Sequence, residues 1–228
     1  MLRSNKQIAS TSFYLSTPST FINDCQWEFY VNLQFNTSST NYVDIYLTSD
    51  NANLLSGSFN GYFVRIGNTQ DEISLYRRNG GTSTKIIDGI DGVTNFSNNV
   101  IKIKVIRTAT NDWTLERDMT GTGNNYFLEG TINDANILTG NHFGFLIVQS
   151  TASFFQKHFF DDFYIGPIIY DVSPPVLVSA TPLSATQLDV LFDENVDLTT
   201  SQNPANYSVN NGIGNPVSAL RDGVDFKL

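Results

Sequence analysis

Cysteine and histidine are scarce in this chain of 228 residues. It contains one cysteine, Cys25, so no disulfide can form within the chain. Its two histidines, His142 and His158, lie far apart in the sequence, and the chain has neither a HExxH motif nor paired cysteines. The common zinc ligand sets are therefore excluded. We interpret each histidine as a structural residue at the start of a strand, and Cys25 as a partly buried residue without a chemical role.

Basic residues are also few. The 13 Lys and Arg residues face 22 Asp and Glu residues, which gives a net charge of -9. The largest basic groups are the pair Arg77 and Arg78 and the alternating Lys102 and Lys104. Because nucleic-acid binding requires clustered Lys and Arg side chains, this charge balance excludes nucleic acid as a main partner.

Long apolar runs and helical patterns are missing. No apolar run approaches the length needed to span a membrane, so we expect no membrane insertion. The first ten residues, MLRSNKQIAS, lack the apolar centre of a signal peptide. The chain is either cytosolic or an internal piece of a longer protein, and the second interpretation is favoured by the C-terminal sequence described below. No glycine-rich phosphate loop precedes a helix, so nucleotide binding has no support.

Alternation of apolar and polar residues is what the sequence has in abundance. In QWEFYVNLQF, every second residue from Trp27 to Phe35 is apolar, and six further segments repeat the pattern. One buried and one solvated face per strand is typical of antiparallel sheets. Turn-forming pairs such as Asn60-Gly61 and Asn79-Gly80 separate the segments. The sequence therefore predicts an all-β fold, an antiparallel jelly-roll β-sandwich.

A boundary follows Gly166. The sequence DVSPP contains Pro174 and Pro175, which cannot lie within a central strand. A new set of alternating segments follows, but only 58 positions remain from Asp171 to the end of the chain. An immunoglobulin-type sandwich requires roughly 100 residues. We therefore predict a sandwich at 1–168, a linker at 169–175 and the incomplete N-terminal part of an Ig-like β-sandwich at 176–228.

Two resemblances accompany this interpretation. The strings WEFYVNLQFNTSSTNYVDIYLTSD, IKVIRTATNDWTLERD and FFDDFYIG resemble the laminin-G-like or concanavalin A-like jelly-roll module of secreted, multidomain, lamin-tail-type surface proteins of Bacteroidota. Arg107, Trp113 and Asp118 match the laminin-G-like pattern. The tail, with SPPVLVSATP and LDVLFDENVD, resembles bacterial Ig-like domains of the S-layer-associated type. Both resemblances imply an extracellular or cell-surface location.

The adjacent acids Asp161 and Asp162 stand out in an aromatic segment. Neighbouring residues of a strand face opposite sides of the sheet, so one carboxylate should face the core. Asp161 shares its face with Phe159, Phe163 and Ile165, and we therefore expect Asp161 to point inward. Such a carboxylate must be hydrogen-bonded or metal-bound. Structural hydrogen bonding is the first interpretation, and a structural calcium ion at Asp161 is the alternative, suggested by carbohydrate-binding jelly rolls.

Catalysis by these acids is not expected. Paired catalytic carboxylates must flank one bond, which neighbours on opposite faces cannot do. Enzymes of the concanavalin A-like class use an ExDxxE strand, and the nearest match here, Glu116-Arg117-Asp118, lacks the third acid. We predict that the chain is not an enzyme.

The sequence favours ligand binding over catalysis as the function. Several outward positions of the predicted strands are aromatic where polar residues are usual, and we take the following as candidate ligand-binding residues: Tyr30, Tyr46, Phe63, Arg65 and Tyr76. Cross-strand aromatic pairing is the alternative explanation. We predict a non-catalytic, monomeric module that binds a polysaccharide or a cell-surface protein. A purely structural spacer and an accessory module of a nuclease or glycoside hydrolase remain the rival interpretations.

Overall fold

The computed structural model describes residues 1–170, 172–194 and 196–221. The chain divides into two compact units, Met1–Ile169 and Tyr170–Leu228. The predicted linker at 169–175 and the predicted Ig-like segment at 176–228 include positions 171, 195 and 222–228, which lie outside the described residues.

The first unit is built from β-strands and one short 3-10 helix, Ala152–Phe154. The strands are β1 (Leu2–Arg3), β2 (Thr11–Pro18), β3 (Cys25–Leu33), β4 (Tyr42–Ser49), β5 (Gly61–Gly67), β6 (Glu72–Asn79), β7 (Thr82–Ile87), β8 (Asn99–Arg107), β9 (Asp112–Asp118), β10 (Phe127–Asn133), β11 (His142–Gln149) and β12 (His158–Gly166). Both histidines begin a strand, as predicted.

Two six-stranded antiparallel sheets face each other. Sheet A has the order β1-β12-β3-β8-β9-β10, and sheet B has the order β2-β11-β4-β5-β6-β7. In both sheets, strands from distant parts of the chain are neighbours: β12 lies between β1 and β3, and β11 lies between β2 and β4. Hydrogen bonds between residues far apart in the sequence therefore hold the sandwich together. The all-β, antiparallel sandwich predicted from the sequence is confirmed.

The core lies between the sheets and consists of the alternating apolar residues. The predicted inward residues of β3 from Trp27 to Leu33 are fully buried, and so are those of β4, β5 and β8. Trp27 stacks on Trp113 of β9, with ring centroids 5.8 Å apart. Cys25 is fully buried rather than partly buried, and burial raises the pKa of its thiol to about 12.

Arg107, from the laminin-G-like pattern, is a buried structural residue. Its guanidinium donates to the carbonyl oxygens of Ile22 and Ile137 and to Asn111 Oδ1, at 3.0, 2.9 and 2.7 Å. It also lies 4.8 Å from the ring centroid of Trp113. Arg107 thus ties two loops to the end of the core, and burial lowers its pKa.

Asp118, from the same pattern, organises the loop that follows β9. Its buried carboxylate accepts hydrogen bonds from the backbone and hydroxyl groups of Thr120, the Thr122 hydroxyl and the Gly123 amide, at 2.6–3.0 Å. Burial alone would raise the pKa of Asp118, but these bonds lower it to about 2. Both residues are fixed by folding requirements, so neither is available for chemistry.

The second unit has far less regular structure among its described residues. Strands β13 (Leu177–Pro182) and β14 (Leu188–Phe192) form a two-stranded antiparallel sheet. They are followed by α1 (Leu198–Ser201) and the 3-10 helix Pro204–Asn206. The Ig-like assignment of this unit stays a prediction. Across the described residues of both units, no helix has the length and apolar character that crossing a membrane requires.

Candidate functional site

Three of the candidate aromatic residues meet on the outer face of sheet B. Tyr46 of β4 is opposite Phe63 of β5, and Phe63 is opposite Tyr76 of β6. The centroid of the Phe63 ring lies 4.8 Å from that of Tyr46 and 5.1 Å from that of Tyr76. The expectation that these rings are exposed is wrong, because none of the three residues is more than 8% accessible.

The loop between β4 and β5 is the reason for this burial. Residues 50–60 fold over the outer face of sheet B, and Leu54 and Phe59 pack on the three rings as a second apolar cluster. The Phe59 ring lies 5.3 Å from that of Tyr46, and the Arg78 guanidinium lies 4.3 Å from the centre of the Phe59 ring. These aromatic residues therefore support the loop and present no open stacking surface.

Tyr30 lies on the other sheet. It is a half-buried residue of β3, opposite Lys102 of β8 and Asp161 of β12 on sheet A. The loop after β9 approaches it, since a Cβ atom at Gly121 would lie 3.0 Å from the Tyr30 ring. The structure thus places Tyr30 away from the other four candidates, and the five do not form one surface.

Arg65 occupies the part of the outer face that the loop leaves partly open. Its Nε and Nη2 atoms donate to Oδ1 and Oδ2 of Asp44, at 2.7 and 2.8 Å. The Arg65 side chain is 18% exposed, whereas the Asp44 side chain is 4% exposed. Its centre lies 4.6 Å from the ring centroid of Tyr42 and 5.1 Å from that of Tyr76. We call Tyr42, Asp44, Arg65 and Tyr76 the Arg65 patch.

The electrostatics of the Arg65 patch are those of a neutralised pair. Burial raises the pKa of Asp44, and the two bonds from Arg65 oppose that rise. Burial would lower the pKa of Arg65, but the bonds to Asp44 raise it above its usual value. Because Nη1 has no hydrogen-bond partner among the described residues, the patch keeps donors available without a net charge.

The pairing of Asp44 with Arg65 was missed from the sequence, which indicated only that both point outward. A usable signal existed, since opposite charges in the middle of consecutive antiparallel strands are often direct partners. A second cross-strand network was missed for the same reason. Lys85 of β7 contacts Glu72 Oε1 at 2.6 Å, Asp88 Oδ1 at 2.5 Å and Gln70 Oε1 at 3.0 Å.

Asp161 does not point into the core, so that prediction is wrong. The pairing of β12 with β3 shifts between Asp161 and Tyr164, which is a β-bulge with one extra residue. Asp162 has a φ of 49°, in the left-handed region. The bulge breaks the alternation: Phe160 and Ile165 pack against the core, while the side chains of Asp161 and Asp162 are 41% and 66% exposed.

The contacts of the two carboxylates do not fit a calcium site. Asp161 lies 3.0 Å from the amino group of Met1, and Asp162 lies 3.4 Å from Lys102 Nζ. Within the part of the chain that the structure describes, no group of three or more His, Cys, Asp or Glu side chains is placed to hold a metal ion. Since calcium takes six to eight oxygen ligands, this donor set is too sparse.

Comparison with solved structures places the first unit in a known fold. The chain is similar to the exoplasmic/lumenal domain of VIP36 in a form bound to Ca²⁺ and Man2, with a TM-score of 0.54 and 13% identity over 75% of this chain and 78% of that one. The Ca²⁺-bound form of the same domain gives a TM-score of 0.51 and 16% identity, covering 74% and 79% of the two chains. The jelly-roll prediction is thereby confirmed.

A further similar structure is the carbohydrate-binding module CBM66 from Bacillus subtilis, with a TM-score of 0.48 and 11% identity over 72% of this chain and 91% of that chain. No protein-family model matches the chain, and no curated protein matches it. The likeness to lectin-like domains is therefore one of fold. The Bacteroidota origin, the laminin-G assignment and the Ig-like tail stay predictions.

Proposed function

We propose that the first unit binds carbohydrate at the Arg65 patch and does not catalyse a reaction on it. The observation that carries this proposal is the desolvated Asp44–Arg65 pair beside the half-buried Tyr42 ring on a partly open sheet face. A sugar presents hydroxyl groups that both donate and accept, and apolar ring faces. A few fixed polar groups beside aromatic side chains are the chemistry that such a ligand requires.

The neutrality of the pair favours an uncharged sugar. A free guanidinium would attract phosphate or carboxylate groups, but the charge of Arg65 is matched by that of Asp44. The likeness of fold to the VIP36 domain, which has been solved with Man2, is in keeping with this class of ligand. A protein partner at the cell surface is the second candidate.

The test removes both partners of the pair at once. Replacing Arg65 alone would leave a buried carboxylate unpaired, whereas removing both groups leaves no such charge. We expect the full chain to bind at least one neutral glycan on a glycan array, and the double variant Asp44→Leu, Arg65→Met to lose that binding by about tenfold or more. Arg3→Met, at an exposed arginine of sheet A, is the matched control and should bind as the wild type does.

Two results would count against the proposal. Absence of binding to any glycan at millimolar sugar would favour the spacer interpretation. Unchanged binding by a double variant with a native circular dichroism spectrum would remove the Arg65 patch from the site. We propose an extracellular or cell-surface location for the module, which protease accessibility on intact cells would test.

Calcium at Asp161 stays a prediction that the geometry does not favour. We expect the melting temperature to be the same in EDTA and in millimolar CaCl2, because the carboxylates of Asp161 and Asp162 already contact cationic groups. Magnesium chloride at the same ionic strength is the control for charge screening. A rise of several degrees that is specific to calcium would establish a metal site.

A further inference from the structure

We propose that a cleft at one end of the sandwich is a second carbohydrate site, which takes one neutral sugar ring. The cleft lies where β2 and β12 end and β11 begins. Its volume is about 640 Å³. This volume falls within the range of small-molecule sites. The inference rests on the proposed function for the class of ligand, but it concerns different residues. We call this feature the end cleft.

Backbone pairing fixes the walls of the end cleft. Pro18, the last residue of β2, is opposite His142, the first residue of β11, and the Ser19 amide donates to the Asn141 carbonyl at 2.9 Å. Ile165 of β12 supplies the wall on the side of sheet A. The ends of three strands from two sheets thus form part of the wall, and the segment after β2, from Ser19 to Phe21, forms the rest together with Asn141.

His142 offers a hydrogen-bond acceptor to the end cleft. Its Nδ1 lies 2.5 Å from Asn141 Oδ1. If that contact joins Nδ1–H to the carboxamide oxygen, the neutral imidazole leaves Nε2 as an acceptor. The contact at Nδ1 is the one side-chain hydrogen bond of His142 among the described residues, and the Ser19 hydroxyl at the cleft wall is buried without a partner. Hydroxyl groups of a sugar can satisfy both Nε2 and the Ser19 hydroxyl, since a hydroxyl both donates and accepts.

Phe21 supplies an apolar surface beside these polar groups. It is 36% exposed, although it is a large aromatic residue, and it lines the cleft together with Pro18 and Ile165. The lining contains no Lys, Arg, Asp or Glu side chain. A phosphate or uronic acid would find no counter-charge there, so the cleft fits a neutral ring with one apolar face.

The end cleft is separate from the Arg65 patch. His142 lies four residues before Leu146 on β11, a distance of about 13 Å along a strand, and Leu146 is the residue opposite Asp44. Between them, loop 50–60 covers Gly144, where a Cβ atom would lie 3.0 Å from Leu54 Cδ1. Two sugar rings, or two separated residues of one glycan, would therefore occupy the two places.

The experiment is a titration of the ¹⁵N-labelled full chain with methyl α-mannoside and methyl β-glucoside, and with glucuronate as the charged comparison. We expect at least one neutral glycoside to shift the backbone amides of Thr20, Phe21, Asn141 and His142. Phe21→Ala should weaken this response about tenfold, and His142→Phe should weaken it by a similar factor. Phe96→Ala, which removes an aromatic ring that is 59% exposed elsewhere, is the matched control and should change nothing.

The outcomes separate this inference from the proposed function. Shifts confined to Tyr42, Asp44 and Arg65, with no response at the end cleft, would overturn the second site and support the first. Shifts at the end cleft that persist in the Asp44→Leu, Arg65→Met variant would support the second site. A titration that moves no amide at either place would overturn both. An equal response to glucuronate would overturn the assignment of a neutral ligand.

Discussion

His158, the first residue of β12, is fully buried in the core of the first unit. Its Nδ1 lies 3.1 Å from the Ser4 hydroxyl, and the Phe35 ring packs 4.9 Å away. Nε2 is buried without a partner among the described residues. Burial therefore favours the neutral imidazole and lowers the pKa of His158 from 6.5 to about 4.

This depressed pKa predicts a pH-dependent stability. Above pH 6.5, His158 is neutral in the folded and unfolded states, so its titration does not change the free energy of unfolding. Below pH 6.5 the unfolded chain binds the proton and the folded chain does not, so stability is lost as the pH falls from 6.5 to about 4. We expect this residue alone to reduce the free energy of unfolding by about 3 kcal/mol over that interval.

Urea denaturation of the wild type and of His158→Gln at several pH values checks this expectation. The variant will be less stable at pH 7, but its free energy of unfolding should fall less steeply between pH 6.5 and 4. Phe96→Ala, which changes no titratable group and replaces a side chain that is 59% exposed, is the control and should keep the slope of the wild type. Parallel slopes for the wild type and His158→Gln would show that His158 is not the titrating group.

At the scale of elements, β12 is the place where the sequence is most easily misread. Only Leu2 and Arg3 of β1 pair with its outer edge, opposite Phe160 and Phe159. No described strand pairs with that edge from Asp161 to Gly166. Exposed strand edges are liable to pair with other chains, and bulges and charges prevent this. The bulge with Asp161 and Asp162 is such a device, and it explains why two acids interrupt an aromatic strand.

Removal of the bulge and its charges from β12 should therefore let the free edge of this strand pair with another copy of the chain. We expect the variant Asp161→Thr, Asp162→Thr to form dimers or larger species, because threonine removes both charges and disfavours the positive φ of Asp162. The matched control is Asp161→Asn, Asp162→Asn, which removes the charges but retains residues that tolerate this conformation. Sedimentation velocity at several concentrations measures the result. A folded threonine variant that stays monomeric at every concentration would contradict the interpretation.

The same elements show what the sequence could predict. The burial of inward residues such as Ile45 and Val64 could be predicted from the alternation of apolar and polar residues, because each strand of a sandwich has one face that is buried in the core. The burial of Tyr46 could not follow, since it depends on where loop 50–60 lies. The orientation of Asp161 could not follow either, since one extra residue in a strand inverts the pattern beyond it. The end cleft was missed because the ends of β2, β11 and β12 are adjacent only in three dimensions.

At the scale of the whole molecule, the two units differ in how much structure they can maintain. The first unit has two six-stranded sheets and a continuous apolar core. The described part of the second unit has a two-stranded sheet, and every residue of β13 is exposed. A two-stranded sheet is at best marginally stable by itself. The stability of the chain should therefore reside in the first unit.

A chain that ends at Tyr170 tests this distribution. We expect it to melt within about 2 °C of the full chain and to keep the same near-ultraviolet circular dichroism spectrum, because all strands from β1 to β12 and their core remain. A chain that ends at Gln156 is the control. It lacks β12, which pairs with β3 along seven residues of that strand, and should not fold. A loss of more than about 5 °C on removal of the second unit would mean that the second unit stabilises the sandwich.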